Sequence, residues 1–370
     1  MLAALNPPAR YLLGPGPSPV EPSVLAAMGK PLLGYDDPQF LRIVDDVGQG
    51  LRLAFRTSNP LTLALPGATP AGMDAALTNL VEPGDSVVVG INGTSGERMA
   101  DLTSRVGGRV TKVTAPWGQV LPTDQLAEVA QRRRAKLVAL AQAEDSTGVL
   151  QPLEQLRGAL GEDPLLVVDA VASLGGTRLE VDAWGIDVCY SATEACLSVP
   201  PGLAPITFSR RAEELLVGRL EPVQSWYLDL ARFGDTRDGG RAALPVSLIY
   251  GLHEGLRLLV REGLEARWNR HFEAGRFLQE SLEELGFHIL ARPADRLPQI
   301  SVALLPDGVG DELRQVLLDD FDIAVGAGLG ELAGRAWRIG LLGFGARREH
   351  ALRLLQALRA LLSVPGRRAR

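Results

Sequence analysis

Three charged side chains stand where they could do chemistry: Asp169 closes the apolar run LLVVD, Glu194 sits within SATEACLS, and Arg338 lies in WRIGLLG. An arginine fork suits bidentate pairing with a carboxylate, and two acids beside it could serve acid–base chemistry in a cleft without any cofactor. Each also has a plain reading, Asp169 as the residue that ends a strand and caps the next turn, Arg338 as half of an ion pair. Other reactive types are sparse. Cys189 and Cys196 are the two cysteines, with neither metal-ligand spacing nor a disulfide framework, and no histidine lies near Cys196 in sequence. His253, His271, His288 and His350 show no metal-binding spacing and read as surface or helix-face residues. Gly326, Gly328 and Gly330 read as a loop, because no nucleotide-binding βαβ unit precedes them. Lysine is nearly absent: Lys30, Lys112 and Lys136 are the three present, and residues 137–370 contain none. An imine-forming amine is therefore missing from that whole stretch.

The elements that must position these residues are legible from periodicity. Over residues 61–209 the apolar runs LTLAL, SVVVGI, RVTKV, KLVALA, PLLVVDA, DVCYSA and APITFS alternate with amphipathic stretches of helical length. Runs of this kind predict strands buried on both faces of a mostly parallel, seven-stranded sheet in an α/β domain. Beyond residue 245 the pattern turns to long helices, then to FHILA, QISVALL, DIAVG and AWRIGLL with a last helix near 346–363, which predicts a smaller α+β domain. The expected division is an arm over 1–20, a large domain over 21–255 and a small C-terminal domain over 256–370. Hydrophobic content of 46% suffices for such cores, and a net charge of −6 without a long basic run makes nucleic acid an unsuitable partner. No membrane-length apolar stretch or leader pattern appears, and the expected location is the cytoplasm.

Seven segments in order resemble class V aminotransferases of the alanine–glyoxylate and serine–pyruvate type: LLGPGPSPV (12–20), NPLTLALPG (59–67), EPGDSVVVGING (82–93), DSTGVLQPL (145–153), VVDAVASLGG (167–176), VPPGLAPITFS (199–209) and WRIGLLG (337–343). The resemblance spans nearly the whole chain. It implies the fold type I architecture of enzymes dependent on pyridoxal phosphate (PLP), assembled as homodimers with active sites at the subunit interface.

The resemblance also implies a role for each site position. Asp169 matches the partner of the pyridinium nitrogen, and Arg338 matches the arginine that holds the substrate carboxylate. The family pattern S-G-T-Q-K, laid on 191–195 in the register fixed by Pro200, Pro201 and Gly202, puts the imine lysine at Ala195. Glu194 then stands where a glutamine commonly donates to the phosphate; an ionised carboxylate there repels it. The phosphate cup reads Gly67, Ala68, Thr69, Pro70, in which Thr69 keeps a hydroxyl and Pro70 has no N–H to give. The ring-stacking position is Ser95, which has no π face. The segment that reaches across from the partner subunit with a tyrosine and a threonine matches residues 240–245, GRAALP, which carry neither. Trp226 and Tyr227 resemble a family segment near the domain junction and read as packing.

A single engineered substitution at 195 would leave the other contacts intact, whereas here several differ together, which favours natural loss of the cofactor. The leading expectation is a pseudoenzyme without bound PLP or transaminase activity. It would form a homodimer, or a heterodimer with an active paralogue, and bind either that catalytic partner or a small carboxylate through Arg338. Two alternatives stay open. One is a PLP-dependent aminotransferase working by an unusual route or studied as an inactivated variant; the other is a PLP-independent enzyme using Glu194, Asp169 and Arg338.

Overall fold

The computed structural model of the chain describes residues 2–232 and 244–363; residues 240–243 of the expected cross-subunit segment lie outside them. Each of the seven apolar runs forms a strand: β1 Thr62–Pro66, β2 Ser86–Ile91, β3 Arg109–Thr114, β4 Leu137–Ala141, β5 Leu165–Asp169, β6 Val188–Tyr190 and β7 Leu203–Phe208. They make one sheet in the order β1-β7-β6-β5-β4-β2-β3. All pairings are parallel except those of β7, which runs antiparallel to β1 and β6. Strands β4 to β7 are buried at every residue, which is why their sequences are continuous apolar runs and not alternating ones. Successive side chains enter opposite cores, Val138, Leu140, Leu166 and Val168 on one face, Leu137, Ala139, Leu165 and Val167 on the other.

A second, antiparallel sheet has the order β8-β9-β11-β10, from β8 His288–Ile289, β9 Ile300–Leu304, β10 Gly326–Ala327 and β11 Ala336–Gly340. The helices Leu264–Glu284 and Arg348–Leu362 contribute Leu278, Leu282, Leu354 and Leu358 to a core with Trp337 and Ile339. The preceding helix, Val246–Glu262, packs instead on Pro22–Met28 and Pro38–Phe55. Gly263 separates the two long helices with φ of 84°, a left-handed conformation that favours glycine. The N-terminal residues Tyr11–Leu12 pair in parallel with Ile323–Ala324, so the arm is tied to the C-terminal part of the chain.

Two local expectations are corrected. Gly326 is not in a loop: it is a strand residue opposite Arg338, because its missing side chain lets Pro15 approach, where an added Cβ would lie 2.6 Å from the proline Cδ. Trp226 and Tyr227 are not packed inside; they are 72% and 49% exposed, on an irregular surface segment that Tyr227 anchors by donating to the Pro66 carbonyl at 3.1 Å. No described helix is long and apolar enough to cross a membrane.

Candidate functional site

The carboxyl end of β5 delivers Asp169 to a cavity of about 200 Å³, the usual place for a site in an open α/β sheet. Its polar lining is Thr69, Ser95, Arg98, Asp145, Asp169 and Tyr190, and Met73, Val171 and Ala172 supply apolar wall. Asp169 is 7% exposed and accepts from the Val171 N–H at 2.8 Å and the Tyr190 hydroxyl at 3.1 Å. Neither partner is a cation. Burial raises its pKa from 3.8 to about 7, the Val171 N–H opposes this, and the nearby Glu144 adds to it.

The two short strands Ala143–Glu144 and Val149–Leu150 form a hairpin that presents two more acids. Glu144 is buried and accepts from the Ser95 N–H at 3.0 Å, in the first turn of the helix Thr94–Arg105, and from the Ser146 N–H at 3.1 Å and hydroxyl at 2.5 Å. A helix N-terminus favours a carboxylate, yet burial, then the neighbouring Asp145, pushes its pKa up. Ser95 thus serves Glu144 with its backbone, and its hydroxyl lies 3.5 Å from the same carboxylate.

Asp145, next in the hairpin, meets Arg338. The guanidinium donates to Asp145 Oδ2 at 2.7 Å and to the Ala327 carbonyl at 2.9 Å, with the two side chains 13% (Arg338) and 28% (Asp145) exposed. The guanidinium that the resemblance gives to a substrate carboxylate thus meets a protein acid through Nη1, because the hairpin brings Asp145 against β11.

The phosphate-cup residues show a parallel arrangement. Pro70 is at the start of the helix Pro70–Leu80, as its lack of an N–H suits. Thr69, at the N-cap, makes no capping bond and donates its hydroxyl to Glu194 Oε1, while Glu194 Oε2 is buried with no hydrogen-bond partner among the described residues. Ala195 is 3% exposed, and its carbonyl accepts from the Ser18 hydroxyl of the arm at 2.7 Å. Cys196 is buried beside it, and that burial pushes its thiol up to about 12, which disfavours the reactive thiolate.

Thr69, Ser95 and Asp169 thus line one cavity, while Glu194 reaches it through Thr69 and Arg338 through Asp145. Sequence reasoning missed Asp145, Glu144, Tyr190 and Arg98. DSTGV was visible as a motif, but nothing in the spacing links Asp145 to an arginine 193 positions later. Among the described residues no cluster of histidine, cysteine and acidic side chains could hold a metal ion.

The chain matches the family model for aminotransferase class-V over residues 10–333, and it belongs to that family. It is 39% identical to the alanine–glyoxylate aminotransferase of Felis catus, covering 98% of this chain and 90% of that protein. It is 33% identical to the (S)-ureidoglycine–glyoxylate transaminase of Bacillus subtilis, covering 96% and 91%. The crystal structure of alanine–glyoxylate aminotransferase from Nostoc sp. superposes with a TM-score of 0.92 at 41% identity over 97% of each chain.

Proposed function

We propose that this protein is a non-catalytic member of the class V aminotransferases, one that neither binds PLP as a cofactor nor transaminates. The family makes PLP the cofactor to test, and Asp169 is suited to a protonated ring nitrogen. The other residues present do not fit the group. The observation that carries this reading is the Thr69–Glu194 contact, which, at the cup position that the resemblance gives to the phosphate, sets an acid whose second, buried oxygen has no partner among the described residues. Displacing it would cost the Thr69 bond, and leaving it in place would oppose two like charges. Ser95 adds no ring to stack on. Ala195, at the position the resemblance gives to the lysine, has no amine to form an imine or move a proton.

The retained fold also supports a homodimer. Leu32, Tyr35 and Leu53 remain 68%, 44% and 56% exposed in the single chain, and an obligate interface buries about 2,000 Å² or more. Light scattering should give a dimer; a 39.5 kDa particle at micromolar concentration would refute assembly.

The test of the main reading is direct. Purified protein should be colourless, should show no imine absorbance when PLP is added, and should not convert alanine or serine with glyoxylate or pyruvate. Turnover by the wild-type chain would make it an aminotransferase of its relatives' kind.

A further inference from the structure

We propose that a second cavity, of about 320 Å³ where the helices Val246–Glu262 and Leu264–Glu284 meet, is a binding site for a small phosphate-bearing molecule. It shares no lining residue with the Asp169 cavity, and the inference holds whether or not PLP binds there.

Four arginines converge on this space from three elements. Arg261 lies in the last turn of the first helix, Arg267 and Arg270 in the second, and Arg347 at the N-cap of the helix Arg348–Leu362. Two acids oppose them, and both are engaged within the chain. Glu262 accepts from Arg267 Nη1 at 2.8 Å and from Arg270 Nε at 2.6 Å. Burial opposes its charge, yet the Arg270 hydrogen bond and the two guanidinium charges hold its carboxyl down to about 2. Glu21 accepts from the Ser23 hydroxyl and lies in the field of Arg257. Four arginines against two acids leave two positive charges in excess.

The side chains without an acid are identifiable. Arg347 stacks its guanidinium 4.5 Å from the centre of the Phe344 ring. Apart from that stacking, neither Arg347 nor Arg261 makes a side-chain hydrogen bond or ion pair with another described residue. Stacking occupies the face of a guanidinium and leaves its five in-plane N–H donors available. A planar carboxylate matches one such fork. A phosphate carries nearly two negative charges and three acceptor oxygens pointing in different directions, so it can take donors from Arg261 and Arg347 together and offset the excess charge. Val24, Leu197, Leu258 and Phe344 give the same cavity an apolar wall for the rest of such a ligand.

The experiment titrates the full-length protein at pH 8 and constant ionic strength with inorganic phosphate, phenyl phosphate and benzoate, by calorimetry and by the shift of the thermal transition. Both phosphates are largely dianionic at that pH. They should bind and raise the melting temperature. Phenyl phosphate should bind about tenfold or more tightly than benzoate, which has the same ring and a single carboxylate, the scale of one further hydrogen bond to a charged group. Phenyl phosphate tighter than inorganic phosphate assigns the site to an organic phosphomonoester, equal binding assigns it to the free ion, and either supports the proposal. Arg261→Gln and Arg347→Gln, both at exposed positions, should each weaken phosphate binding by about tenfold or more. Arg105→Gln, which removes a surface charge from the helix Thr94–Arg105, should leave it unchanged. The proposal is overturned if neither phosphate binds protein whose thermal transition shows it folded, or if benzoate binds as tightly as phenyl phosphate. Unchanged binding in both Arg261→Gln and Arg347→Gln would place the phosphate elsewhere in the chain, and an equal loss in Arg105→Gln would reduce the effect to net charge; each overturns it. Imine absorbance with PLP reports on the Asp169 cleft separately, so a failure here and a failure of the functional reading are distinguishable.

Discussion

Arg338 Nη1 lies 2.7 Å from Asp145 Oδ2, a pair that joins the hairpin after β4 to the middle of β11. The two sides are unequally buried: the guanidinium side chain is 13% exposed and the carboxylate 28%. Losing the acid strands a charge away from water, whereas losing the base leaves an aspartate that can turn to solvent.

An asymmetric mutational response follows. Asp145→Ala should destabilise by about 2–3 kcal/mol, near the lower end for a broken buried pair. Arg338→Met, which keeps the apolar stem, should cost about 1 kcal/mol or less. In urea denaturation the double variant should match Arg338→Met alone. A larger loss for Arg338→Met than for Asp145→Ala would show that the pair contributes little and the guanidinium matters through Ala327.

The phosphate end can be probed by restoring what the family pattern holds. Ala195→Lys alone should stay without imine absorbance on adding PLP, because Glu194 still holds Thr69 and repels the phosphate. Ala195→Lys combined with Glu194→Gln should take up PLP more tightly than the single variant by about tenfold or more, the consequence of removing one unfavourable charge contact. Full colour and family-like turnover from Ala195→Lys alone would mean that Glu194, Ser95 and Pro70 do not bar the cofactor.

The sheet was readable because burial on both faces removes alternation: β4 to β7 could only be the continuous apolar runs they are. The reading of Asp169 was equally local, since it sits at the end of such a run. What escaped was side-chain traffic between distant segments. Glu194 could be recognised as an acid in the wrong place for a phosphate, but not as the acceptor of the Thr69 hydroxyl 125 residues earlier. Asp145 stood inside a segment, DSTGVLQPL, that was read only as a family signature, and its partner lies in the other sheet. Such pairings depend on how the two sheets dock, which no periodicity encodes.

His271 gives a prediction at acid pH. It is fully buried on the helix Leu264–Glu284, with Nδ1 2.7 Å from the Arg267 carbonyl and Nε2 accepting from the Gly343 N–H at 2.9 Å. That geometry fixes the neutral ring with its proton on Nδ1. Burial, with Arg267 nearby, lowers its pKa from 6.5 to about 3. The unfolded chain therefore binds a proton that the folded one refuses, so stability falls as pH drops from 6.5 towards 3. In urea titrations, His271→Gln should be less stable at pH 7 and should lose less on acidification. Equal acid slopes for both proteins would refute the role.

Asp169 acts with the opposite sign. Its carboxyl holds a proton in the folded state up to about pH 7, whereas the unfolded chain gives it up near 3.8, so between those values the folded state binds more protons and stability falls as pH rises. Above about pH 7 the penalty is fully present, about 4 kcal/mol as an upper value for such a displacement. Asp169→Asn keeps an acceptor for the Val171 N–H and offers a donor to the Tyr190 oxygen, without a charge to desolvate. The variant should therefore melt higher than the wild type at pH 8, with the gain shrinking steadily towards pH 4. Differential scanning calorimetry across that range checks it. A variant less stable than wild type at pH 8 would show that a cation already compensates Asp169.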